Sequence, residues 1–181
     1  MIELKSKVTQ KLLDYFFVNK NSSLYVNEIE RFLNLDKRNL IKKLKALENE
    51  GILRSEYKGN QKYFSLNLKY PLINEYKKIF LKTIGFEKKV QELFKGLKGV
   101  KEAFIFGSYA KDKMDSSSDV DILVVGNHDT LELQKRTSKL QDDINREINV
   151  ISMSTTEFNR KKKNKDPFIS NILKKDKIRI L

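Results

Sequence analysis

Apolar positions recur at helical spacing through the first third of the chain. Val8, Leu12, Leu13, Phe16 and Phe17 predict an amphipathic helix over residues 5–19, ended by Asn21-Ser22-Ser23. A brief extended piece, Leu24 to Val26, is expected before a second helix over 27–33, with Asn27 as N-cap and Ile29, Phe32 and Leu33 inward. Asp36 then suits the N-cap of a third helix, 37–49, whose Leu40, Ile41, Leu44 and Leu47 form one stripe, with Gly51 closing it. Residues 52–57 and 62–68 read as two strands around Lys58-Gly59-Asn60-Gln61, a hairpin with a basic tip. Tyr70-Pro71 opens a further helix with Leu72, Ile73, Tyr76, Ile79, Phe80 and Ile84 on its apolar side.

The periodicity lapses at Ile84-Gly85, which divides the chain into expected domains of residues 1–84 and 85–181. Beyond it, Phe86 to Leu97 is amphipathic, and Phe104-Ile105-Phe106 reads as a buried strand stopping at Gly107. A second strand, Ile122 to Val125, opens on Asp119-Val120-Asp121. A helix is expected over 130–145, and residues 147–153 alternate as a strand with Glu147 and Asn149 on one face. Ser154 caps a helix over 155–163, Asp166-Pro167 begins another through Lys174, and 177–181 is a final strand.

Candidate chemistry lies between the first two of these strands. Side chains alternate along a strand, so Asp119 and Asp121 project from one face. Two carboxylates held that close repel unless a cation sits between them, which reads as a magnesium-type site. Upstream, Ser108 to Lys111 is one expected helical turn whose unpaired N–H groups face outward to an anion such as a phosphate, with Gly107 leaving room for close approach.

Gly107-Ser108 followed by Asp119-x-Asp121, in the context Gly-Ser-Tyr-Ala and Ser-Ser-Asp-Val-Asp, resembles the motif of the DNA polymerase β-type nucleotidyltransferase superfamily, in particular its minimal members. The resemblance covers residues 86–181 and implies a mixed sheet flanked by helices. It implies Asp119 and Asp121 as ligands for Mg2+ or Mn2+, Gly107 and Ser108 against the phosphates of a nucleoside triphosphate, with ATP the expected donor, and transfer of a nucleoside monophosphate to a hydroxyl. A third carboxylate on a later strand is part of the family pattern, and there the chain departs from it. Asn149 stands where Asp is expected, and an amide can ligate a metal but cannot take a proton. Glu147, two residues upstream, is the alternative source of charge.

Residues 5–84 in turn resemble a winged helix-turn-helix domain, so the fold class expected of the whole is α+β. That likeness implies Lys37, Arg38, Asn39 and Lys42 on the third helix, and Lys58 and Lys62 on the hairpin, as DNA contacts. A solvated lysine face on a core-packing helix is the competing reading.

Net charge is +13 with pI near 9.7, and residues 1–84 hold 17 Lys or Arg against 9 Asp or Glu, which favours a polyanionic partner. With no cysteine, a disulfide framework and a thiolate metal site are excluded. No signal peptide or membrane-length apolar run is apparent, so a cytoplasmic protein is expected. His128, the only histidine, lies in a polar loop and receives no role.

Two functions remain open on these grounds. One is a nucleotidyltransferase acting on a protein or small-molecule hydroxyl, of the kind that pairs with a helical toxin-like partner. The other is a DNA-binding regulator or antitoxin-like protein, homodimeric over paired half-sites, whose second domain only binds nucleotide or is inactive.

Overall fold

A computed structural model describes residues 4–114, 118–144 and 146–181. Ser117 of the quoted motif, Asn145 at the end of a predicted helix and the first three residues lie outside them. The chain divides into two compact units, Met1–Phe86 and Glu87–Leu181.

The first unit runs α1 (Lys7–Val18), β1 (Ser23–Tyr25), α2 (Val26–Leu33), α3 (Lys37–Asn49), β2 (Leu53–Lys58), β3 (Gln61–Leu66) and α4 (Ile73–Thr83). Its sheet is antiparallel, in the order β1-β3-β2. Leu12, Leu13, Phe16 and Phe17 of α1 are fully buried, as are Ile29 of α2 and Leu40 and Leu44 of α3. Phe17 meets Phe80 of α4 with ring centroids 5.6 Å apart. Asp36 caps α3 by accepting the Asn39 N–H at 2.9 Å, and Gly51, at φ +77°, turns the chain out of the helix.

Several expectations need correction here. Helix α2 begins at Val26, not after Asn27, because Glu28 reaches back to accept the Tyr25 N–H at 3.0 Å and Tyr25 becomes the N-cap. The hairpin loop is only Gly59-Asn60, since Lys58 and Gln61 are register partners. Phe32, Ile41, Leu72 and Ile79, all placed on apolar faces by spacing, are exposed, Ile79 by 59% and Leu72 by 52%. Beside three of them a neighbour takes the inward position, Leu40 for Ile41, Ile73 for Leu72 and Phe80 for Ile79, while Phe32 keeps an edge contact with the Tyr15 ring, centroids 5.2 Å apart.

Helix α5 (Phe86–Leu93) begins on the last residue of the first unit, and the second unit continues with β4 (Val100–Phe106), α6 (Gly107–Ala110), β5 (Val120–Gly126), α7 (Thr130–Ile144), β6 (Ile148–Met153), α8 (Thr155–Lys163), α9 (Pro167–Lys174) and β7 (Ile178–Arg179). Its sheet is mixed, in the order β6-β5-β4-β7, with β5 and β6 parallel and the other pairs antiparallel. Phe104, Leu123, Val125 and Met153 on one sheet face cluster with Phe158 of α8 and Ile169 and Ile172 of α9. By alternation, Ile105, Ile122 and Val124, all buried, fill the opposite face. Ser154 and Asp166 cap α8 and α9 through the Glu157 and Ile169 N–H groups, both at 3.1 Å. Helix α5 stops at Leu93, short of the expected Leu97, and Leu131 on α7 is 69% exposed. No described helix is long and apolar enough to cross a membrane.

Candidate active site at the start of strand β5

The carboxylates stand where the sheet delivers them. Asp121 is the second residue of β5, on the same face as Leu123 and Val125, and Asp119 precedes the strand by one residue on the exposed surface. Across the antiparallel pair, Asp121 is the register partner of Phe106, the last residue of β4, so the chain turns at Gly107 directly beside it. Gly107 has φ +73°, a backbone conformation that side-chain-bearing residues rarely adopt. The turn therefore favours glycine, and a Cβ added there would collide with Oδ2 of Asp121, so that carboxylate would have to move.

On the other side, the parallel register sets Asn149 opposite Asp121. The Asn149 amide donates to Asp121 Oδ1 at 3.2 Å; an ionised carboxylate only accepts, which fixes the N–H end of the amide toward it. Gly107, Asp121 and Asn149 therefore meet on one face at the end of three adjacent chain segments.

Glu147 takes a different place. Strand β6 begins at Ile148, and Glu147 is exposed just before it, its backbone carbonyl accepting the Val120 N–H at 3.0 Å. Among the described residues, no group of three or more His, Cys, Asp or Glu side chains is placed to hold a metal ion, so Glu147 does not close a triad with Asp119 and Asp121. The Ser108 hydroxyl donates to the sulfur of Met114 at 3.2 Å. A thioether is a weak acceptor, so this hydroxyl can exchange its partner at little cost.

Arg146 was not singled out by sequence reasoning. Its guanidinium donates to the Ser118 carbonyl, one residue before Asp119, and with the Glu147–Val120 bond it ties the approach to β5 against the start of β6. A single arginine before a strand gives no periodic or motif signal. His128 Nε2 lies 3.1 Å from Ser152 Oγ, on the far end of β6.

Two carboxylates offer hard oxygen donors, the chemistry that suits Mg2+ or Mn2+ rather than a soft metal. Asp119 and Asp121 are the residues that would hold such an ion.

In the first unit, Lys37, Arg38, Asn39 and Lys42 are exposed on α3. Three of the candidate cations are paired: Lys37 with Glu30 at 3.7 Å, Lys58 with Glu56 at 2.9 Å, and Lys62 with Glu48 at 2.8 Å. Lys62 also lies 5.2 Å from the centroid of the Phe64 ring. The Lys62 ammonium, followed by the Ser55 hydroxyl, holds the Glu48 carboxyl below the usual carboxylate range.

The second unit is thus an α+β domain whose mixed sheet ends in a carboxylate pair beside a glycine turn. Residues 84–180, more than half of the chain, match the family model of the nucleotidyltransferase domain, and the chain belongs to that family. Among solved structures, it is similar to a mutant of the toxin–antitoxin MntA–HpeT, at 13% identity over 52% of this chain and 72% of that one, with a TM-score of 0.39. It is similar to a toxin–antitoxin with AMP-PNP at 17% identity over 52% and 72%, with a TM-score of 0.37. A third likeness, at 24% identity over 41% and 68% with a TM-score of 0.30, is to a protein of Sulfolobus solfataricus described as a nucleotidyltransferase. No curated protein matches the chain.

Proposed function

We propose that the second unit transfers a nucleoside monophosphate from a nucleoside triphosphate, ATP being the expected donor, to a hydroxyl of a protein or small molecule. The observation that carries this reading is the packing of Gly107 against Asp121 in a domain of the nucleotidyltransferase family. Asp119 and Asp121 would hold Mg2+ or Mn2+, and a bound ion supplies stabilisation of the charge that develops on the phosphate oxygens. Gly107 leaves the backbone open to a phosphate group, and the Ser108 hydroxyl exchanges its Met114 sulfur for a phosphate oxygen. Asn149 holds Asp121 in place and takes no proton.

The first unit supports a DNA-binding role. What supports it is an element order, a helix, a short strand, two helices and a hairpin, that resembles a winged helix-turn-helix, with Arg38, Asn39 and Lys42 outward on α3. Two copies on paired half-sites, and a toxin-like protein as acceptor, complete the reading; the minimal nucleotidyltransferases supply the analogy for the second.

The test is pyrophosphate release from ATP with Mg2+ and cell lysate as the source of acceptor, comparing wild type with Asp121→Ala. Release that depends on Asp121 is expected. Equal release from both proteins would contradict the enzyme reading and leave the regulator reading in front.

A further inference from the structure

We infer that the site takes one divalent ion, not two, and that Asn149 sets that number; the inference rests on the assignment of Asp119 and Asp121 as ion ligands. Two metal ions that share a phosphoryl-transfer site sit about 3.5–4 Å apart, close enough that bridging carboxylates must offset their mutual repulsion. This chain supplies Asp119 and Asp121, and among the described residues no third acid or histidine joins them.

Asp121 is also not free to bridge. Its Oδ2 lies against Gly107, and its Oδ1 accepts the Asn149 amide at 3.2 Å. A second ion on Oδ1 would have to displace that N–H and take the neutral amide oxygen in its place. Asn149 brings a hydrogen-bond donor to the position from which a second ion would need an anion. Its register opposite Asp121 places it there by strand pairing, not by side-chain reach. Asn149 is accordingly a positioning residue: it orients Asp121 for one ion and withholds the charge for another.

The experiment counts ions directly. Full-length protein is titrated with Mn2+ in the presence of a non-hydrolysable ATP analogue, and bound Mn2+ is read by electron paramagnetic resonance. Wild type is expected to hold one Mn2+ per chain and Asn149→Asp two. Asn149→Ala is expected to hold one, with affinity weaker by about tenfold or more because Asp121 loses its orienting partner. Asn149 is exposed, and circular dichroism on each variant checks that the fold is kept. Two ions in wild type, or one in a folded Asn149→Asp, would overturn the inference while leaving the ion-binding role of the aspartates intact. No Mn2+ binding in wild type beyond that of Asp121→Ala would instead sink the assignment of the aspartates, and this inference with it.

Discussion

Asn149 faces Asp121 across the parallel pairing of β5 and β6 and donates a 3.2 Å hydrogen bond to it. An amide therefore stands where the family pattern expects a carboxylate, which on the proposed function would deprotonate the acceptor hydroxyl. Restoring the acid should restore the proton acceptor. A positioned general base contributes about 10²–10⁴-fold, so Asn149→Asp is expected to speed pyrophosphate release by at least about tenfold at saturating ATP. A rate at or below that of wild type would show that the amide, not the missing base, is what the site uses.

Gly107→Ala tests the opposite side of Asp121. The left-handed backbone alone costs a non-glycine residue about 1–2 kcal/mol, and the added methyl pushes directly on Asp121 Oδ2. The variant should remain folded with a lowered melting temperature and lose most of its Mn2+ affinity. Unchanged ion affinity would mean that the glycine serves the turn only.

Arg146→Ala removes the tether on the Ser118 carbonyl without touching either aspartate. Mn2+ affinity is expected to fall about 10-fold or more, as when residues that orient metal ligands are removed, while Arg146→Lys recovers part of it. Equal affinity in Arg146→Ala and wild type would remove this residue from the account.

The Glu48–Lys62 pair gives the first unit a dependence on acid. Because Glu48 has its folded pKa below the unfolded value, its contribution is full above the unfolded glutamate pKa of about 4.3 and is lost as pH falls through the folded value. Both side chains remain partly exposed, so Glu48→Gln should cost about 1 kcal/mol or less at pH 7 by denaturant melts, and nearly nothing below the folded pKa. A cost that persists undiminished at low pH would point to packing instead of charge.

The same pair decides which cations give a clean test of DNA binding. Changing Lys62 disturbs Glu48, whereas Arg38 and Lys42 are exposed on α3. The salt slope of DNA affinity should shrink by about one unit for each of Arg38→Ala and Lys42→Ala. An unchanged slope in the double variant would retire the DNA-binding role.

Much of the fold was legible because its signals are local. Asp36, Ser154 and Asp166 announce their helices through caps that the structure retains, and the apolar run of β4 stops before Gly107 while that of β5 follows Asp121. Adjacent apolar residues were not separable by spacing: Leu40 and Ile41 both fit the stripe of α3, and only packing decides that Ile41 faces out. At the site, the motif brought Gly107 and Asp121 to notice, but not their contact, which follows from Phe106 being the register partner of Asp121. The Asn149 hydrogen bond depends on a parallel pairing between strands separated by α7, and no local pattern encodes that register. Arg146 was invisible for the same reason, since its partner is a backbone carbonyl 28 residues away.

The most direct measurement follows the phosphate itself. Protein, Mg2+ and lysate are incubated with ATP labelled at either the α or the γ phosphorus, and the label that becomes attached to an acceptor is compared between wild type and Asp121→Ala. Nucleotidyl transfer predicts α-label on the acceptor and γ-label released as pyrophosphate, both dependent on Asp121. Label from the γ position on the acceptor, or α-label transferred equally by Asp121→Ala, would contradict it.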